Sequence, residues 1–292
     1  LSDGDPSARD GDRQGAADAG PGVPVVGRPP AAWRSLIAFR GITSHATDIY
    51  LGVIGFLICL ALWVLLTSLE LVRPQALAAP QAVLAKLYEL FVRYGFAGDI
   101  GISVFRVWAA FLLSAAMAIP LGILMSSFRL ANGLLEPVVD FIRYIPVPAL
   151  IPLTIFWLGV GEESKIALLW IGTFFQLLLL VADDGRRVPR EYVEIGMTVG
   201  AKPRQLIRCI VFPAMLPNMV DNLRITLGWC WTYVIIAEFV VADSGVGNMI
   251  MNARRYVKTP DVMAGALTIG IIGLLTDQLI RWAHRRYFAY LR

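Results

Sequence analysis

Long apolar stretches alternate along the chain with short charged segments. Residues 49–69 run uncharged between Asp48 and Glu70, residues 107–128 between Arg106 and Arg129, and residues 144–161 between Arg143 and Glu162. A spanning helix needs about 20 mostly apolar residues, because the hydrocarbon core is about 30 Å thick and an α-helix rises about 1.5 Å per residue. Residues 166–182 are slightly shorter and end at Asp183 and Asp184. Two further stretches are interrupted by charge: residues 218–241 contain Asp221, Arg224 and Glu238, and residues 262–282 contain Asp277 and Arg281. The pattern predicts an all-α, polytopic membrane protein with about six transmembrane helices.

Between the first two stretches, Pro74 and Pro80 mark a loop, and residues 81–94 read as a short amphipathic helix with Val83, Leu84, Leu87, Leu90 and Phe91 on its apolar face. It is too short and too charged to cross, so it is expected at the interface. Residues 1–40 are rich in Gly, Ala, Asp, Pro and Arg. They cannot bury enough surface to offset their ordering entropy and are expected to be a disordered cytoplasmic segment preceding a transmembrane domain over 41–292. With no apolar run after a basic start, they do not read as a signal peptide.

Composition agrees with this pattern. The chain is 57% hydrophobic and 16% charged, with mean hydropathy +0.64, whereas soluble domains carry about 25% charged residues. A net charge of +4 is too small an excess to imply nucleic acid. Cys59, Cys209 and Cys230 show neither disulfide nor metal-site spacing and read as small packing residues. His45 and His284 stand apart, one near each end, so no histidine cluster points to a metal. No P-loop occurs, so the chain is not expected to bind ATP itself. Residues 244–248, Ser-Gly-Val-Gly-Asn, read as a turn after the fifth span rather than a dinucleotide fingerprint, since no strand precedes them.

Lys and Arg collect on one side of the expected bundle: before residue 41, at Arg129 and Arg143, between Arg186 and Arg208, and from Arg281 to the end. By the positive-inside rule this places both termini in the cytoplasm. Arg254, Arg255 and Lys258 are a local exception.

The longest loop on that side, residues 183–213, carries the most information. Pro189 suits the start of a helix, Glu191 and Glu194 lie near its positive end, and Gly200 suits its stop. Pro203 then opens a second helix leading towards the membrane. The spacing of Glu194, Gly200, Ile210 and Pro213 resembles the EAA motif of ABC importer permeases, with Ile195 and Gly196 where two alanines are usual and Phe212 where leucine is usual. The resemblance extends to residues 103–122, 141–161, Ala237-Glu238, 244–247 and 269–281, and is to the nitrate, sulfonate and taurine branch.

The resemblance implies a type I importer permease fold and a coupling helix that docks on a separate ABC ATPase subunit. Glu194, Ile195, Gly196, Gly200, Ala201, Ile210 and Pro213 would form that coupling element, with Pro213 the hinge into the fifth span. It also implies two ATPase copies holding ATP and Mg, a second permease copy, and an extracytoplasmic substrate-binding protein. The permease itself would be non-catalytic, with nitrate, a sulfonate or taurine as substrate, or bicarbonate, cyanate or a heterocyclic precursor within the same branch. Charges inside spans cost about 2.5–3.5 kcal/mol on insertion scales and should face the interior or a wet cavity. Asp221 and Arg224, three residues apart, are expected to pair as a structural or gating clasp. Glu238 is a candidate for either a packing or gating hydrogen bond or the pathway. Arg143, just before the proline-broken third stretch at Pro146, is a candidate for an anion path or for lipid headgroups. A secondary transporter would call for an internal inverted repeat, and a membrane enzyme for a cluster of His, Cys or carboxylates. Neither pattern is present in the sequence.

Overall fold

The computed structural model of the protein describes residues 45–241 and 243–288, and every regular element among them is helical. The expectation for residues 1–40 lies outside the described residues. The elements are α1 (His45–Ser68), α2 (Pro80–Arg93), α3 (Phe96–Ser127), α4 (Arg129–Ile142), a 3₁₀ turn (Val147–Leu150), α5 (Ile151–Leu158), α6 (Glu162–Arg186), α7 (Arg190–Thr198), α8 (Pro203–Leu206), a π-helical turn (Ile207–Val211), α9 (Phe212–Val241), α10 (Val246–Arg255) and α11 (Thr259–Tyr287). A wholly helical chain suits hydrocarbon, where every backbone N–H and C=O must find a partner within its own segment.

The chain forms two units, residues 1–61 and 62–292. The described part of the first is the N-terminal portion of α1, where exposed Ile54, Phe56 and Ile58 alternate with Gly52 and Gly55. A helix apolar on all sides is matched to lipid. In the second unit, α3 lies along α6, α9 packs on both, and α10 and α11 pack on α9, with α2 against α11.

The seam between α3 and α6 is written in small residues. Ala110, Ser114, Ala118 and Gly122 recur every four residues of α3 and are all buried. Ser114 Oγ lies 2.8 Å from Thr173 Oγ1 of α6. A Cβ on Gly122 would stand 2.7 Å from Val181 Cγ1 and 3.0 Å from the Leu178 carbonyl oxygen, so only glycine permits this approach. Close packing of this kind drives helix association in membranes, where lipid tails compete for apolar contact. Two apolar clusters flank the seam, one containing Val107, Leu169, Leu227 and Trp231, the other Leu177, Val181, Met215 and Met219.

The boundaries set by Glu70 and Arg129 agree with the ends of α1 and α3, whereas other charges taken as boundaries lie inside helices. The second span begins at Phe96 rather than after Arg106, because Arg106 is buried and paired inside α3. The expected third span over residues 144–161 is not one helix. Pro146, Pro148 and Pro152 remove backbone donors from that segment, which folds as the 3₁₀ turn and α5 and ends at Gly159 with φ +78°. Together residues 147–158 make an angle of 90° with α4, an amphipathic helix in the segment expected to be a loop. Among the described residues, α1, α3, α6 and α11 are long and apolar enough to cross, and the bent pair makes a fifth crossing if counted as one. α9 has the length, at 30 residues, but Asp221, Arg224 and Glu238 dilute its hydropathy. With it the count reaches the expected six.

One polar cluster ties the bundle together at the end remote from α7. The Arg106 guanidinium is fully buried and donates from Nε and Nη2 to both carboxylate oxygens of Glu162 of α6, at 2.6 and 2.7 Å. From Nη1 it donates to Glu238 of α9 at 2.6 Å and to the Ser244 carbonyl at 2.9 Å. Glu238 also accepts from Ser103 Oγ at 2.7 Å and from the Gly247 N–H at 2.7 Å. Lys165 donates to Glu162 at 2.8 Å, so the four charges sum to zero. The glycines of residues 244–247 have a steric role here, since a Cβ on Gly245 would lie 2.5 Å from Glu238 Oε1 and one on Gly247 2.7 Å from Glu238 Cβ. Gly245 also takes φ +107°, a conformation that side chains disfavour.

Removing one partner of a buried ion pair strands the other, at about 3–5 kcal/mol. Glu238→Ala is expected to destabilise the detergent-purified protein by that amount in thermal unfolding. Arg106→Ala combined with Glu238→Ala should cost clearly less than the two single changes summed; strict additivity would contradict the pairing. Gly122→Val should cost about 1–3 kcal/mol by overpacking, whereas Gly52→Ala, with nothing within 4 Å of the added Cβ, should leave the melting temperature unchanged or slightly raised.

Candidate functional site

The segment joining α6 to α9 is held in shape by its glycines and prolines. Pro189 immediately precedes α7, one position earlier than the sequence places it. After Thr198, Gly200 takes φ +80°; its N–H donates to the Met197 carbonyl at 2.9 Å, and the Ala201 N–H donates to the Gly196 carbonyl at 3.0 Å. This pair of bonds is a Schellman stop, for which a left-handed residue is required. Gly196 has a second use. It is buried, and a Cβ there would meet Leu206 Cδ2 at 2.5 Å and Ile210 Cδ1 at 2.6 Å, so α7 folds back against α8 and the π turn at the one position without a side chain. Ala, usual at that position in the resembling family, would require those two side chains to move.

Pro203 opens α8, whose first turn is closed by Gln205 accepting from the Lys202 N–H at 2.8 Å. The chain then continues without a break into α9. Pro213 lacks an N–H and its ring crowds the carbonyl four residues back, and the turn before it widens, with the Phe212 N–H reaching the Ile207 carbonyl. The π turn therefore sits beside Pro213, where the family resemblance implies a hinge.

α7 exposes apolar side chains on more than one side. Tyr192, Ile195 and Met197, with Val199 at the C-cap, are exposed by 53 to 82%, and Glu194 is exposed as well. Glu194 lines a recess of about 560 Å³ with Arg186, Arg190, Met197 and Leu206. Ile195, Ile210 and Pro213 line a second one of about 630 Å³ with Tyr192 and Pro217. The coupling residues expected from the sequence thus fall along one folded-back segment, from α7 through the π turn to the start of α9, with Gly196 buried within it and Glu194 and Ile195 exposed.

The pathway candidates do not form one site. Arg143 and Pro146 line a cavity of about 570 Å³ between the proline-broken segment, α6 and α9, with Gln176, Trp229, Thr232 and Tyr233. Asp221 and Arg224 lie 3.8 Å apart, but the nearer partner of Arg224 is Asp277 of α11, 3.3 Å from Nε. Asp277 in turn accepts from Arg281 at 2.8 Å, so Asp221 and Arg224 of the fifth expected stretch and Asp277 and Arg281 of the sixth neutralise one another across α9 and α11. Glu238 belongs to the Arg106 cluster and is not among the residues lining the cavity. Sequence reasoning missed Arg106, which it treated as the edge of a span. The available signal was Ser103 and Arg106 continuing the small-residue face of α3, together with an unpaired Glu238 of opposite sign. It also took all three cysteines as packing residues, whereas Cys59 and Cys209 are exposed and only Cys230 is buried.

Residues 118–289, from within α3 to the end of α11, match the family described as binding-protein-dependent transport system inner membrane component. The chain is 34% identical over 245 residues to a probable ABC transporter permease protein of Brucella melitensis, a match covering 84% of this chain and 98% of that protein. It is 29% identical over 255 residues to the taurine transport system permease protein TauC of Escherichia coli, covering 86% and 92%. Among solved structures, the inward-facing MetNI methionine ABC transporter superposes with a TM-score of 0.56 over 65% of this chain and 96% of that one, at 20% identity, and so shares its fold. A helical bundle of this connectivity, carrying the α7 turn and matched over more than half its length, places the chain in that family: it is a permease subunit of an ABC importer.

Proposed function

We propose that the chain forms the translocation pathway for a small anion of the nitrate, sulfonate or taurine class, and that α7 is where a separate ATPase subunit grips it. The observation that carries the docking role is the exposure of apolar side chains on α7, Tyr192 and Ile195 on one side and Met197 beside Glu194 on another, on a helix clamped through Gly196 and Gly200 to an arm that continues as α9. Large apolar side chains exposed together on one short element mark an interaction surface. Glu194 supplies its polar anchor.

Two copies of the chain enclose the pathway and two ATPase subunits dock beneath them. ATP and Mg sit on those subunits, and the permease holds no cofactor and catalyses no reaction. Closure of the ATPases draws the two α7 helices together. Each transmits the displacement through α8 and the π turn into α9, tilting it as a rigid body. A loaded binding protein at the opposite end biases the same equilibrium between inward-open and outward-open packings. The Lys and Arg distribution supports both termini lying in the cytoplasm, on the α7 side. The anion class is supported by the likeness to a taurine permease and by Arg143 at the cavity wall.

Glu194→Lys should insert in the membrane at normal levels yet lose co-purification with the ATPase and reduce ATP-driven uptake at least tenfold. Normal uptake by this variant would refute the docking role.

A further inference from the structure

The cavity beside Arg143 has the composition of a binding subsite rather than a plain channel wall. No Asp or Glu lines it, and Arg143 is its one charged residue. Both polar contacts of the guanidinium go through Nη2, to Asp140 at 3.1 Å and to the Tyr144 hydroxyl at 3.1 Å, which leaves Nε and Nη1 without a hydrogen bond among the described residues. A planar guanidinium with free donors is suited to two oxygens of one oxyanion. The rest of the wall is mostly apolar, with aliphatic side chains and prolines beside the rings of Phe175, Trp229 and Tyr233, and adds the amide of Gln176 and the hydroxyl of Thr232. A volume of about 570 Å³ exceeds what a bare inorganic oxyanion fills, so the cavity accommodates an anion with an organic tail.

Gly172 of α6 limits the width. A Cβ there would lie 3.0 and 3.1 Å from Tyr233 Cδ2 and Cε2 and 3.1 Å from Val147 Cγ2. The α6 backbone is therefore the seat against which the Tyr233 ring and the 3₁₀ turn both rest. A side chain at that position would displace the ring towards the cavity.

We propose that this cavity is an organosulfonate subsite within the permease itself, reading the anionic group with Arg143 and the tail with the apolar wall, whose width is set by the close approach of Tyr233 to Gly172. It rests on the reading of the chain as an anion pathway. It adds that the permease discriminates among anions after the binding protein has released them.

The test is ATP-driven uptake by proteoliposomes containing the complete transporter with its unaltered binding protein, using nitrate, methanesulfonate, taurine and butanesulfonate. Arg143→Gln should lower uptake of the sulfonates at least tenfold, and Arg143→Lys should restore part of it. Gly172→Ala should lower butanesulfonate uptake at least fivefold relative to methanesulfonate. Co-purification with the ATPase and a monodisperse elution profile establish that each variant is assembled. Should Arg143→Gln not assemble, the ratio of butanesulfonate to methanesulfonate in Gly172→Ala decides alone. Sulfonate uptake within twofold of wild type in Arg143→Gln, or an equal loss for all anions in Gly172→Ala, would overturn the subsite and leave the anion pathway standing. A wild-type transporter that takes up none of the four anions would overturn both.

Discussion

The fold depends on the Arg106 guanidinium having a carboxylate on either side. A cation fully buried in the bundle is tolerated only when its partners are in place, and those partners come from α6 and α9, with the chain leading into α10 contributing a carbonyl and an N–H. Three spans are thereby fixed in register at one end. Apolar contact alone would not do this, since lipid offers every helix the same contact that another helix does. The small-residue seam of α3 then brings α6 close along its length, and the packing of α9 follows from Glu238 being held in place.

That anchorage gives α9 two unlike ends. Near Glu238 it is held by Arg106, Ser103 and Gly247; at the other end it is continuous with the π turn, α8 and α7. A displacement applied at α7 would therefore reach α9 as a lever pivoted near Glu238, and the cavity lined by Trp229, Thr232 and Tyr233 lies between the two ends. The prolines divide along the same lines. Pro120 and Pro217 are accommodated inside helices, Pro213 coincides with a local widening, and Pro146 and Pro148 interrupt the helix between α4 and α5 and line the cavity, with Pro152 in the first turn of α5.

Much of this was legible in the sequence. Uncharged length alone located α1 and the cores of α3 and α6, and the apolar period located α2. The α7 segment was readable in detail because its signals are local: a proline before the helix, a glycine after it, and an acidic residue whose spacing to Gly200, Ile210 and Pro213 resembles a family motif. What escaped was non-local. Arg106 reads as the edge of a span until Glu162 and Glu238, distant in sequence, are brought to it. Arg224 pairs with Asp221 as its sequence neighbourhood suggests, but its shorter contact is with Asp277, distant in sequence. The third stretch is broken where its prolines stand, as the sequence indicates, but the bent crossing also takes in α4, whose amphipathic pattern uncharged length does not pick out. Gly196 read as a flaw in a helix that prefers alanine, and its use became visible only once Leu206 and Ile210 stood against it.

The central claim is that α7 is the face of this permease that a separate ATPase grips. Site-directed crosslinking tests it most directly, in a background where exposed Cys59 and Cys209 are replaced so that a single introduced thiol reports its own surroundings. A cysteine at Tyr192 is predicted to crosslink to the ATPase subunit in the assembled transporter, with a yield that changes on ATP binding. A cysteine at Val160, exposed between α5 and α6, is predicted not to. Crosslinking from residue 160 with none from residue 192 would contradict the account.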